Sequence, residues 1–258
     1  MSAYTTGYLI GALVNVGAWL VIFLLRKDLR RELVTMSWWA AAIGLPHEYL
    51  LWTRDWWHPP TITGTVVGIE DLLYALSTGG LLATLYAVVA RRGAQADDIV
   101  PCRSARYLPI LLDFGIPLVL VPTLGLHSFV ASGIGALLAL GWILVRRPDL
   151  VGTALASAVL GVLLGLPCYW LVEWLMPGFI RAVWDVPRLS GILITGVPIE
   201  DLLWYAYSAA LFGTYFKYAS GARLVCLASA GAEQRGAIKA ECKGARATVV
   251  LASSELEA

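Results

Sequence analysis

Two acidic pairs stand inside apolar sequence. Glu200 and Asp201 lie in Val197-Pro198-Ile199-Glu200-Asp201-Leu202-Leu203-Trp204, and Glu70 and Asp71 lie in Val67-Gly68-Ile69-Glu70-Asp71-Leu72-Leu73-Tyr74. A carboxyl group in a bilayer is costly, so it faces a bundle interior or a polar cavity and marks function by default. Two such groups in different states, one protonated and one ionised, are what proton transfer to and from an apolar substrate requires. Burial disfavours the charged form of an acid, and a second acid nearby disfavours it further. At helical spacing Glu70 shares a face with Tyr74 and Ser77, and Glu200 shares one with Trp204 and Tyr207. Those aromatic rings suit the stabilisation of a passing cation. The plain alternative is that the pairs bond to Tyr, Ser or Trp on neighbouring helices and only fix packing. Asp71 and Asp201 are more open to it, since adjacent residues point about 100° apart around a helix.

The elements that must hold these acids follow from composition. The chain is 59% hydrophobic and 14% charged, against roughly 25% charged in soluble domains, and its mean hydropathy is +0.72. It reads as a multi-pass protein of the cell membrane. The net charge of +1 says nothing about nucleic acid, and with no basic, aromatic-laced patch no nucleic-acid partner is expected. With roughly 20 apolar residues needed per crossing, seven spans emerge at about 4–25, 34–53, 62–90, 107–123, 126–145, 151–175 and 190–218. The first is a helix that stays, because its basic cluster Arg26, Lys27, Arg30, Arg31 follows the apolar run. Arginines crowd alternate loops, at Arg26–Arg31, Arg91–Arg106 and Arg146–Arg147, which sets the N-terminus outside and the C-terminus inside.

Internal echoes divide the chain. Asp28-Leu29 returns as Asp149-Leu150 and Gly44-Leu45-Pro46 as Gly165-Leu166-Pro167, 121 residues on; Ile-Glu-Asp-Leu-Leu returns 130 residues on. The expected fold is all-α, two parallel three-helix repeats joined by a fourth helix. The first repeat is 1–90, the linking helix lies in 91–124, the second repeat is 125–219, and 220–258 is a disordered cytosolic tail rich in Ala, Gly and Ser. On these spans each acidic pair falls about nine or ten residues into its helix, near the bilayer midplane.

Other polar residues carry less. Glu48, beside His47 near the outer end of the second span, reads either as an interfacial residue or as a cavity acid, and is a candidate substrate contact. Glu173 sits near the outer end of the sixth span, Asp113 reads as structural or paired with a base near the inner face, and His58 and His127 as interfacial. Three histidines and four cysteines without ligand spacing give no metal site and no disulfide framework. There is no nucleotide-binding glycine loop and no nucleophile elbow, so no cofactor is evident. No motif sets an oligomeric state.

Trp184-Asp185-Val186-Pro187, Leu189-Ser190-Gly191-Ile192 and Gly196-Val197-Pro198-Ile199-Glu200-Asp201 together resemble the lycopene cyclase domain, the integral-membrane type found as paired small subunits or in fusions. Asp55-Trp56-Trp57-His58-Pro59-Pro60 with Gly68-Ile69-Glu70-Asp71 resembles its first-half version, with Gly68 where that family's Pro-x-Glu-Glu/Asp motif has proline. The resemblance implies redox-neutral cyclisation of an acyclic polyene end to a β-ring. Glu70 and Glu200 would be acid and base, Asp71 and Asp201 their tuning partners, and Tyr74, Trp204 and Tyr207 would stabilise the cation or shape the site. The partners implied are a lipophilic polyene or prenyl substrate and the bilayer. A cyclase of shorter prenyl chains and a small proton-coupled transporter use the same acids. A retinal-type sensor is disfavoured, because Lys217 falls at the inner membrane boundary.

Overall fold

Long apolar runs become helices because in lipid a backbone must satisfy its own polar groups. A computed structural model describes residues 3–95 and 101–226. Its long helices are α1 (Ala3–Leu25), α2 (Arg30–His47), α3 (Ile69–Val89), α4 (Arg103–Leu124), α5 (Ser128–Arg146), α6 (Val151–Leu175) and α7 (Ile199–Ser220). Among the described residues five stretches are long and apolar enough to cross a membrane: Tyr4–Leu25, Ile69–Val89, Ser104–Leu124, Ser128–Arg146 and Pro148–Leu175. The expected second and seventh spans are not among them. Arg30, Arg31 and Glu32 open α2, while Glu200, Asp201 and Lys217 lie in α7.

Two helices begin later than an apolar count suggests. α3 starts at Ile69 and α7 at Ile199, so each acidic pair occupies the first helical turn and not mid-span, as expected above. The residues before α7 are apolar but turned back on themselves. Leu193–Ile194 pairs with Val197–Pro198 across a tight hairpin whose Thr195 and Gly196 have φ of 54° and 90°. Pro198 then precedes the helix with no N–H to extend it backwards. α2 has its own irregularity. Pro46 inside it removes a helical hydrogen bond and crowds the preceding turn, and the chain runs on through a π-helical turn at Glu48–Trp52. Such turns recur at functional sites.

Equivalent contacts recur at the offsets read from the sequence. Arg26 forks Asp28 through Nε (2.9 Å) and Nη2 (2.7 Å) and donates to the carbonyls of Ala87 and Arg92. Arg147 forks Asp149 at 2.8 and 2.7 Å and donates to the carbonyls of Lys217 and Ala222. The Arg26 hydrogen bonds hold the Asp28 carboxyl below the usual carboxylate range. Thr84 and Thr214 each return a hydroxyl to the carbonyl four residues back, at 2.8 Å. At both bundle ends corresponding segments meet antiparallel, Trp57 with Trp184 at one and Arg92–Gln95 with Arg223–Cys226 at the other. Residues 223–226, at the start of the expected disordered tail, are therefore a strand; 227–258 lie outside the described residues.

Helices α2 and α3 pack closely, as do α6 and α7. In the first pair Gly79 lies against Ala40; in the second, Gly161 lies against Ala209. The positions correspond, but the glycine has changed helix. A Cβ on Gly161 would come within 2.6 Å of both the Tyr205 carbonyl oxygen and the Ala209 Cβ. Gly161→Ala is therefore expected to destabilise the bundle by about 1–3 kcal/mol, read as an earlier unfolding transition in detergent.

Candidate active site

At the end where α3 and α7 begin, the bundle encloses a cavity with about 1280 Å³ of empty space, its opening included. Its wall is mostly apolar and aromatic, with Trp52, Trp56, Trp57, Trp184, Trp204 and Tyr169 prominent. Deeper down the wall turns small, with Gly11, Ala40, Gly44, Ala75 and Gly79, a shape that admits a thin apolar chain.

The acids divide in a way the sequence did not indicate. Glu70 and Glu200 do not line the cavity. Each is buried and turns one oxygen onto the loop preceding its own helix: Glu70 Oε1 accepts the Ile62 N–H at 2.6 Å, and Glu200 Oε1 accepts the Ser190 N–H at 2.7 Å. Their second oxygens close no hydrogen bond among the described residues. In both halves the glutamate ties a loop to a helix start, and Asp71 and Asp201 line the cavity instead. The expectation that placed the glutamates at the centre and the aspartates beside them is thus reversed. The roughly 100° between successive side chains forces the choice once the helix start is set.

The two aspartates differ because Gly68 and Pro198 differ. Gly68 donates its N–H to Asp71 Oδ2 at 2.6 Å, and Tyr8 on α1 donates its hydroxyl to Asp71 Oδ1. Pro198 occupies the same place before α7 and has no N–H to give. Asp201 Oδ2 closes no hydrogen bond among the described residues, nor do the nearby indole nitrogens of Trp56 and Trp184. These indoles and the Tyr169 hydroxyl face the Asp201 carboxyl.

Glu48, in the π-helical turn, is 4% exposed and lines the cavity beside Asp71. Its Oε1 is buried without a hydrogen bond among the described residues. Tyr169 holds the corresponding place beside Asp201, so one half sets a carboxyl against its aspartate and the other a phenol.

Of the expected aromatic residues, Tyr74, Trp204 and Tyr207 all line the cavity. Tyr74 and Tyr205 join α3 to α7 through their hydroxyls at 2.5 Å. Trp204 meets Trp52 and Tyr205 edge-on, with ring centres 6.3 and 5.2 Å apart. Ser77 bonds the Leu73 carbonyl at 2.6 Å and stays out of the wall. Asp113, expected to be structural or paired with a base, lines the cavity and makes no ion pair among the described residues.

The remaining polar candidates hold structure. Glu173 accepts the N–H groups of Gly178 and Ile180 at 2.7 and 3.0 Å. His127 contacts the Asp55 carbonyl at 2.9 Å, and Asp55 caps α5 through Ser128. His47 lies on the wall, its Nε2 3.0 Å from the Phe114 carbonyl oxygen. No group of three metal-binding side chains occurs among the described residues.

The arrangement can bury an apolar chain, exchange protons with it at carboxyl oxygens and surround a cation with rings. Comparison with known proteins finds a match in the second half. Residues 126–219 match the family model described as lycopene cyclase. That segment is similar to the lycopene cyclase family, and the match covers less than half of the chain. The matched segment holds Asp201, Tyr169, Trp184, Trp204, Tyr205 and Tyr207; Tyr8, Glu48, Asp71 and Tyr74 lie outside it. No curated protein and no solved structure matches the chain.

Cavity residues missed in the sequence were Tyr8, Tyr169 and Tyr205, and the roles of Trp56 and Trp184. The two tryptophans were in view as parts of Asp55–Pro60 and Trp184–Pro187. Tyr205 had a signal in Gly165, whose missing side chain leaves room for the Tyr205 ring.

Proposed function

We propose that this chain is a membrane-embedded carotenoid-type cyclase, closing an acyclic polyene end to a β-ring by carboxyl acid–base chemistry without net redox change. One observation carries the reading: Glu48 and the aspartates of both acidic pairs open into a single aromatic-walled cavity. Protonation of a terminal double bond makes a tertiary cation, an internal double bond attacks it, and loss of a ring proton restores neutrality. Aromatic faces favour such a cation by about 0.5–2 kcal/mol each. The reading takes the chain as two three-helix repeats in seven spans, N-terminus outside, in the cell membrane, acting on a lipophilic polyene or prenyl chain without a cofactor. The recurrent Arg26 and Arg147 clasps and the exchanged glycine at Gly79 and Gly161 favour that duplication.

Expression in cells that accumulate lycopene, with pigments separated by chromatography, tests it. Monocyclic or bicyclic carotenes are the expected result. Unchanged lycopene, with the protein present in the membrane, would exclude lycopene as substrate and direct the same assay to shorter prenyl chains.

A further inference from the structure

Resting on that reading, we propose that Glu48 donates the initiating proton in the first half, with Asp71 as its positioning residue, and that Asp201 in the second half removes the final proton. Asp71 has both oxygens engaged: Tyr8 donates to Oδ1 and the Gly68 N–H to Oδ2. Its place in the first turn of α3 favours negative charge there. Two carboxyl groups in contact inside an apolar wall do not both ionise, so one proton stays on the pair. With the charge drawn to Asp71 by its donors and helix end, that proton belongs to Glu48. Glu48 also keeps an unbonded oxygen, Oε1, on the cavity wall.

The second half is arranged for the opposite task. Asp201 has Tyr169 where Asp71 has Glu48, so there is no corresponding carboxyl to share a proton. Two indole N–H groups and the Tyr169 phenol lie beside it, groups that can donate to a carboxylate. Pro198 in place of glycine leaves Oδ2 free. Gly68, where the second half has Pro198, thus has a physical consequence: its N–H turns Asp71 from a reacting group into a support.

The step balances. The Glu48 O–H bond breaks and its proton forms a C–H bond with the π electrons of the terminal alkene. The resulting cation closes the ring through the π electrons of a second alkene. A ring C–H bond then gives its proton to Asp201 and its electrons to the new double bond. Solvent protons restore Glu48 and clear Asp201.

The test is cyclisation of lycopene by membranes suspended in D₂O, with label read in product and in recovered lycopene. Glu48→Gln is expected to lower ring formation at least about 100-fold and to leave recovered lycopene unlabelled, with Glu48→Asp restoring part of the rate. Asp201→Asn is expected to stop normal ring completion while deuterium still enters recovered lycopene through reversible protonation, or rings with a displaced double bond. Asp71→Asn is expected to reduce the rate about 10-fold, less than loss of a general acid itself. Glu48→Gln retaining rings within threefold of the unsubstituted protein, or Asp201→Asn blocking label uptake while Glu48→Gln permits it, would overturn the assignment. Failure of the unsubstituted protein to cyclise lycopene or any shorter prenyl chain would overturn the functional reading beneath it.

Discussion

Asp201→Asn is expected to cut ring formation by about 10²–10⁴-fold, the range for loss of a general acid or base, while Glu200→Gln costs far less. The two residues are neighbours in sequence and share a helical turn, so a motif alone ranks them equally. Their surroundings do not. Asp201 lines the cavity with a free oxygen, and the asparagine amide would fill its place without accepting a proton. Glu200 receives the Ser190 N–H, and glutamine keeps a carbonyl oxygen for that bond. Carotene yield per unit of membrane-inserted protein, measured for both variants in lycopene-accumulating cells, separates them. A greater loss in Glu200→Gln would return the chemistry to the glutamate and make the aspartate its support.

Lys217→Met is expected to destabilise the protein by about 3–5 kcal/mol, the cost of leaving one member of a buried ion pair alone. Lys217 on α7 bonds Glu32 on α2, and both side chains are 1% exposed. The Lys217 ammonium also reaches the Ala83 carbonyl of α3 at 3.4 Å. The pair thus links three helices at the end of the bundle remote from the cavity. Removing Lys217 leaves a carboxylate in apolar packing around Met36, Ala83 and Leu211. Replacing both partners, as in Glu32→Leu with Lys217→Met, removes both charges and is expected to recover most of the loss. Thermal unfolding in detergent reads the single and the double variant. Equal stability of the single and double variants would show that the pair contributes no coupling.

Much of this was legible in the chain itself. Sparse charge among long apolar runs determined a helical membrane protein, because a lipid interior leaves a backbone little else to do. The repeated Ile-Glu-Asp-Leu-Leu and Gly-Leu-Pro motifs located the acids, and the loop motifs around Trp56 and Trp184 located much of the aromatic wall. The metal site expected to be absent and the cofactor expected to be unnecessary were readings of composition and spacing, and they enter the proposed function as such.

What sequence did not decide was direction. An apolar count adds residues along the chain and does not register a hairpin, so it placed Glu70 and Glu200 at mid-span, where the structure has the first turns of α3 and α7. Moving a helix start re-aims every side chain near it, and here the aspartates face the cavity while the glutamates face the loops. Lys217 was expected at the inner boundary, but it is buried against Glu32, a partner 185 residues away. The contact between Glu48 and Asp71 likewise joins two helices, and it depends on a π-helical turn after Pro46. Residue type and spacing pointed to the chemistry proposed for the chain. Tertiary packing decided which carboxyl groups reach the cavity, because a side chain's direction depends on where its helix begins and on what the neighbouring helix presents.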